Sequence, residues 1–213
     1  MKTDDLINML ASGPDVAAPK VPLQKFAMVV SSGVLLSVIL MLAVLGLRPN
    51  MGELAMLPAF WIKMAFVLAL AVCGWVAVTH LATPGARTRQ LPLLIALPIV
   101  LIWLLAAVSL LNATPEQRAD LFWGDTWHYC SWLIAILSAP IFIAILRVMR
   151  QMAPTRLRLA GAGAGFAAGA AATLIYSFHC PEIAAPFIGF WYVVGILIPS
   201  IIGALIGPRV LRW

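Results

Sequence analysis

Charge is scarce in this chain. Asp, Glu, Lys and Arg make up 10% of its 213 residues against 63% hydrophobic residues, and mean hydropathy is +1.01. No single soluble core of this length could hide so much apolar surface, so the composition places the chain in a bilayer. Other absences narrow the function. There is no basic helix or aromatic-basic module, so the formal net charge of +6 does not point to direct nucleic-acid binding. Inside the apolar segments the single charged side chain is Lys63, which leaves no polar path for a transporter. The three histidines lie near segment ends with no facing pair at depth, which argues against a haem or quinone enzyme. Asp120, Asp125 and Glu182 form no recognisable base–nucleophile arrangement, and we expect no enzyme.

What is present is apolar length. A hydrocarbon core about 30 Å thick needs roughly 20 apolar residues per helix. Six stretches meet that need, at 26–47, 60–79, 91–111, 130–146, 159–177 and 187–206. Turn residues such as Arg48-Pro49-Asn50, Thr83-Pro84-Gly85 and Cys180-Pro181 separate them. The expected fold is an all-α integral membrane bundle of six transmembrane helices. Its domains are a cytoplasmic tail, 1–25, and a membrane domain, 26–213. The first apolar run is too long for a signal-peptide core and is expected to stay as an anchor.

Basic residues orient the spans. Eleven of the 14 Lys and Arg fall in the tail, the second and fourth connections and the C-terminus, among them Arg87, Arg89, Arg147, Arg150, Arg156, Arg158, Arg209 and Arg212. Positively charged loops stay cytoplasmic during insertion, so both termini are expected there. Lys63, near the outer end of span two, is read as snorkelling to the headgroups. Cys73, deeper in that span, reads as a packing residue. Gly161, Gly165 and Gly169 share a helix face, and Gly203 and Gly207 repeat the spacing, which marks close helix packing within the bundle or between chains. The glycine run follows no strand, so it is no dinucleotide fingerprint. Aromatic residues from Phe60 to Tyr192 crowd the opposite end from the basic loops, as an interfacial belt would.

Two polar stretches at that outer end carry His128 with Cys130 and His179 with Cys180. If the chain entering span four is extended, His128 and Cys130 point to one side; if it is helical, they point to nearly opposite sides. Pro181 disfavours helix at Cys180, which would put that thiol at an exposed helix end. In an oxidising compartment the two cysteines could form a disulfide. With the histidines they could instead hold a soft or borderline ion such as Cu, Zn or Cd, or they could be unrelated thiols. No cofactor is obligatory. In the tail, Thr3 suits an N-cap, Asp4 and Asp5 suit the positive helix end, and Leu6, Ile7 and Leu10 form an apolar stripe that ends before Gly13-Pro14. Such a helix could lie on the inner leaflet or dock into a soluble partner.

The opening Met1-Lys2-Thr3-Asp4-Asp5-Leu6-Ile7, the six spans, and cysteines set in Trp127-His128-Tyr129-Cys130 and His179-Cys180-Pro181-Glu182 resemble the negative regulator of sigma F family over essentially the whole chain. The resemblance implies a multi-pass anti-sigma factor of the bacterial inner membrane. Such a protein holds an extracytoplasmic-function (ECF) sigma factor on the cytoplasmic side. It would release that partner under heavy-metal or oxidative stress sensed at periplasmic Cys130 and Cys180, with His128 and His179 as companions. Residues Lys2, Thr3, Asp4, Asp5, Leu6, Ile7 and Leu10 become the candidate sigma-contacting element. Lipid and a second copy of the chain are further expected partners. The alternative is a membrane redox or metal-handling protein, built around haem, quinone or metal transport.

Overall fold

The structure is a computed structural model that describes Thr3, Asp5, Met9 and residues 23–83 and 89–212. Six of its helices are long and apolar enough to cross a membrane. We label the helices α1 (Leu23–Val44), α2 (Pro58–Ala82), α3 (Leu91–Asn112), α4 (Pro115–Trp123), α5 (Trp127–Gln151), α6 (Leu157–Tyr176) and α7 (Ala185–Val210). The six apolar runs therefore appear where the sequence places them. The fourth span starts earlier than expected, because Trp127, His128 and Tyr129 are already helical and α4 precedes them.

α4 is short and polar, and its start follows local chemistry. Thr114 and Gln117 exchange side-chain and backbone hydrogen bonds as a capping box, with Pro115 in the first turn. It ends at Gly124, which adopts φ +55°, a conformation that favours glycine. Inside α7 the chain winds as a π turn over Ile188–Tyr192 before resuming α geometry.

Helix α6 is the centre of the bundle. In its apolar window 72% of residues are buried, against 11% for α3, so α6 faces other helices while α3 faces outward. It packs most extensively on α7 and also on α2 and α5, while α1 lies on α5. The glycine faces join α6 to α7 within one chain. A Cβ on Gly161 would overlap the carbonyl of Gly203, and one on Gly165 would overlap the carbonyl of Pro199. Without a bilayer-phase hydrophobic force between helices, such backbone proximity supplies the dispersion contacts that hold the pair. Ser37 adds a buried hydrogen bond from α1 to the Leu137 carbonyl of α5, 2.8 Å long.

Of the tail, Thr3, Asp5 and Met9 are helical and exposed. Lys2, Asp4, Leu6, Ile7 and Leu10 lie outside the described residues, as do Arg87 and the tether at 17–22.

This crossing has a direct test. Gly165→Val should force α6 and α7 apart and destabilise the protein by about 1–3 kcal/mol or more. The expected result is a lower Tm in detergent. An unchanged Tm would mean the helices do not meet as described.

Candidate thiol site

The chain alternates direction through the bundle, so the start of α2, the start of α5, the end of α6 and the start of α7 gather at one end. Cys130 lies in the first turn of α5, and Cys180 in the segment 177–184 that joins α6 to α7, a segment we call the strap. The two thiols come together: Cys130 and Cys180 are near enough to interact electrostatically, and both are free cysteines. They are 0% and 2% exposed. The exposed helix terminus expected for Cys180 is therefore corrected. Pro181 does end the helix, but the chain then folds inward instead of outward and its carbonyls meet the Lys63 ammonium.

Lys63 overturns the snorkelling expectation. Five residues into α2, it is 1% exposed and turns into the protein. Its Nζ donates to the carbonyl of Cys180 at 2.9 Å and to that of Glu182 at 3.0 Å, and lies 5.6 Å from the centre of the Tyr192 ring. Hydrogen bonds that involve a charged group contribute about 1.5–3 kcal/mol each. Snorkelling would gain only hydration, while this geometry satisfies the ammonium internally.

The strap has three further anchors. Arg48 Nη1 donates to the Pro181 carbonyl at 3.1 Å, and His179 Nδ1 lies 3.1 Å from the Gly46 carbonyl oxygen, both beyond the end of α1. Glu182 reaches the start of α5: its Oε1 accepts from the Asp125 amide at 2.9 Å and from Thr126 Oγ1 at 3.4 Å. A carboxylate there satisfies an otherwise unpaired amide and complements the positive end of the helix. Gly124 makes room for it, since a Cβ would stand 2.8 Å from the Glu182 carboxyl carbon. The sequence offered Lys63 a partner in the outer pocket only as the alternative to snorkelling, and Glu182 only as a further metal ligand. A lone lysine in an apolar span, opposite an acid in the adjoining loop, was the available signal.

The thiols differ electrostatically. The neighbouring Cys130 side chain and the nearby Lys63 charge outweigh desolvation and pull the Cys180 thiol down from its ordinary value to about 6. Thr126 Oγ1 lies 3.9 Å from its sulfur. The hydroxyl of fully buried Tyr192 comes near Cys180 and Ser177, yet neither contact has hydrogen-bond geometry, and its oxygen is left without a partner.

Of the four predicted residues the structure brings together the two sulfurs. His128, two residues before Cys130 on a helix that has already begun, is exposed on the other side and stacks on Trp127 at 3.8 Å. His179 is turned to Gly46. Among the described residues no three His, Cys, Asp or Glu side chains gather as a metal set. Two sulfurs suit a soft ion of low coordination number and do not supply the four ligands of a structural zinc site. Cys73 is buried in α2 with only a 3.4 Å contact to the Leu94 carbonyl, in keeping with a packing role. His80 is exposed near the far end of α2.

The aromatic residues divide. Trp61, Tyr129 and Trp132 are exposed, as belt residues would be. Trp123, Trp127 and Trp191 instead cluster with centroids 4.8–5.6 Å apart, and Trp191 Nε1 donates to the Phe122 carbonyl at 3.0 Å, fastening α4 to α7. Ser131 Oγ, next to Cys130, donates to the Trp191 carbonyl at 2.9 Å.

A sequence profile described as negative regulator of sigma F matches residues 10–213. The chain belongs to that family. It is 47% identical over 213 residues to a probable anti-sigma-F factor of Azospira oryzae, and 33% identical over 215 residues to the anti-sigma-F factor of Caulobacter vibrioides. Both alignments span the full length of each protein. No solved structure matches the chain. Membership thus extends over all six spans and includes the thiol end.

Because the thiolate is the reactive form, a depressed value makes Cys180 reactive at lower pH. Modification of Cys180 by a small neutral thiosulfonate should rise as pH increases through about 6. In Cys130→Ala, which removes the neighbouring donor, the midpoint should move upward. Peptide mass spectrometry across a pH series reads both, and a wild-type midpoint near the ordinary thiol value of about 8.5 would contradict the geometry.

Proposed function

We propose that the chain is a multi-pass anti-sigma factor of the bacterial inner membrane that sequesters an ECF sigma factor. It releases that partner when Cys130 and Cys180 are oxidised or take up a soft heavy-metal ion. Both termini lie in the cytoplasm and the thiol end faces the periplasm, in line with the bias of Lys and Arg. The anti-sigma role follows from family membership and from two full-length relatives that carry that name. The observation that carries the sensing role is the convergence of two free thiols, 50 residues apart, as a buried, electrostatically interacting pair.

The pair joins two parts of the chain far apart in sequence. Cys130 belongs to α5, while Cys180 belongs to a strap tied to α2, to the end of α1 and to α5. A disulfide brings two sulfurs to about 2.05 Å, closer than free thiols, so its formation draws the strap toward α5. A soft ion bound by both sulfurs changes the same separation. The unpartnered Tyr192 hydroxyl is a donor ready for a new acceptor at that point. His128 and His179 stand outside this donor pair and would join it only after a change of helix face or the loss of the Gly46 contact.

The far end of α5 carries Arg147 and Arg150, and Arg156 and Arg158 lie at the start of α6. These loops, with the tail around residues 2–10, form the sigma-contacting surface. A ligand shifts such an equilibrium only by its differential affinity for the two states. A coupling of about 1–3 kcal/mol changes partner affinity 5- to 150-fold, which suffices for transcriptional control.

Cys130→Ser and Cys180→Ser should each keep sigma binding while abolishing release by cadmium or peroxide, as measured by co-purification of the sigma factor from stressed and unstressed cells. Release that persists in both variants would remove the thiols from the mechanism. Loss of binding in both, with normal membrane insertion, would make them structural.

A further inference from the structure

We infer that Lys63 is the positioning residue of the thiol pair: from α2 it holds the strap inward so that Cys180 stays opposed to Cys130. This rests on the thiol chemistry proposed above and adds a residue to it. Three observations lead here. Lys63 is almost fully buried, a costly placement for a charged side chain within an apolar span. Both its hydrogen bonds end on the strap, at the carbonyls of Cys180 itself and of Glu182, so the residue that carries the thiol is gripped directly. The Cys180 amide also donates to the Tyr176 carbonyl at the end of α6, 3.0 Å away, while the other anchors hold its neighbours: Arg48 takes Pro181, His179 takes Gly46, and the Glu182 side chain takes the chain entering α5. Of the two backbone contacts on Cys180, Lys63 is the one that ties it to a different helix, while Cys130 is fixed by its own.

The consequence is a difference in effective concentration. With Lys63 in place the sulfurs remain opposed and a disulfide closes with little further ordering. Without it, the strap keeps its outer anchors but loses the inward pull, and Cys180 spends less time against Cys130. In exchange with glutathione disulfide, one protein thiolate attacks the disulfide and displaces a glutathione thiolate. The second protein thiolate then attacks the mixed disulfide and displaces the other. The protein pair is oxidised by two electrons, one S–S bond replaces another, and the two thiol protons end on two reduced glutathiones.

The test uses full-length protein in detergent, in a Cys73→Ser background that leaves only the two thiols of interest. Samples are equilibrated with reduced and oxidised glutathione, quenched with acid, and scored by mass spectrometry. We expect Lys63→Met to lower the equilibrium constant for the Cys130–Cys180 disulfide at least tenfold, a shift of about 30 mV toward easier reduction for this two-electron couple. Lys63→Arg, which keeps two donors, should recover most of the loss, and Lys63→Gln less. If Lys63→Met does not fold, as judged by its Tm, the order Arg above Gln carries the test.

An unchanged constant in Lys63→Met, or equal constants in the Arg and Gln variants, would overturn the inference. So would a disulfide made harder to reduce by Lys63→Met, since Lys63 would then act by charge on a thiolate and not by placing the strap. Sigma release is scored on parallel, unquenched samples of the same variants in complex with the sigma factor at the same glutathione ratios. A disulfide that forms in a Lys63-dependent way without release defeats the sensing function and leaves the positioning role standing. If no disulfide forms in the parent protein at any glutathione ratio, both fall.

Discussion

A buried ammonium cannot be left unsatisfied, and the thiol end is arranged around that constraint. Removing a charge from water costs several kcal/mol unless partners replace the water. Lys63 obtains them from the strap, two carbonyls at 2.9 and 3.0 Å, and the strap turns inward to provide them. That turn buries Cys180, places it against Cys130 and carries Glu182 to the start of α5. Gly124 at positive φ and the early start of α5 then fit around the Glu182 carboxylate. One side chain in α2 is thereby linked to the segment that joins α6 to α7 at this end.

Much of the fold was legible because a bilayer imposes a length. Six apolar runs can satisfy their backbone in lipid only as helices, so their number and approximate limits follow from counting. The glycine faces were legible for a related reason, since Gly161 and Gly165 one helical turn apart serve no purpose on a lipid-facing surface. Only the choice between packing within one chain and packing between chains needed coordinates, and the Gly161–Gly203 approach decides it.

The site was half legible. That Cys130 and Cys180 share an end follows from topology. Their contact does not, since it depends on which way the strap turns after α6, and Pro181 says only that the helix stops. The place of His128 turned on phase, which the sequence left open: a separation of two residues places neighbours together in a strand and apart in a helix, and Trp127 already lies in the helix. The role of Glu182 was hidden because a carboxylate capping a helix from 57 residues away leaves no local pattern. Lys63 gave a clear signal in its rarity, but its direction depends on partners that only the folded strap supplies.

The α6–α7 crossing constrains what a conformational change can be. Side chains switch by exchanging rotamers, and packed interfaces shift by letting one set of knobs find a second set of holes. Where Gly161 and Gly165 meet the carbonyls of Gly203 and Pro199, the surfaces in contact are main chain, and main chain has no second rotamer to adopt. The two helices are therefore the stator of this molecule. Movement relative to that pair falls to the helices packed around it, among them α5, which carries α1 and whose entry the strap holds.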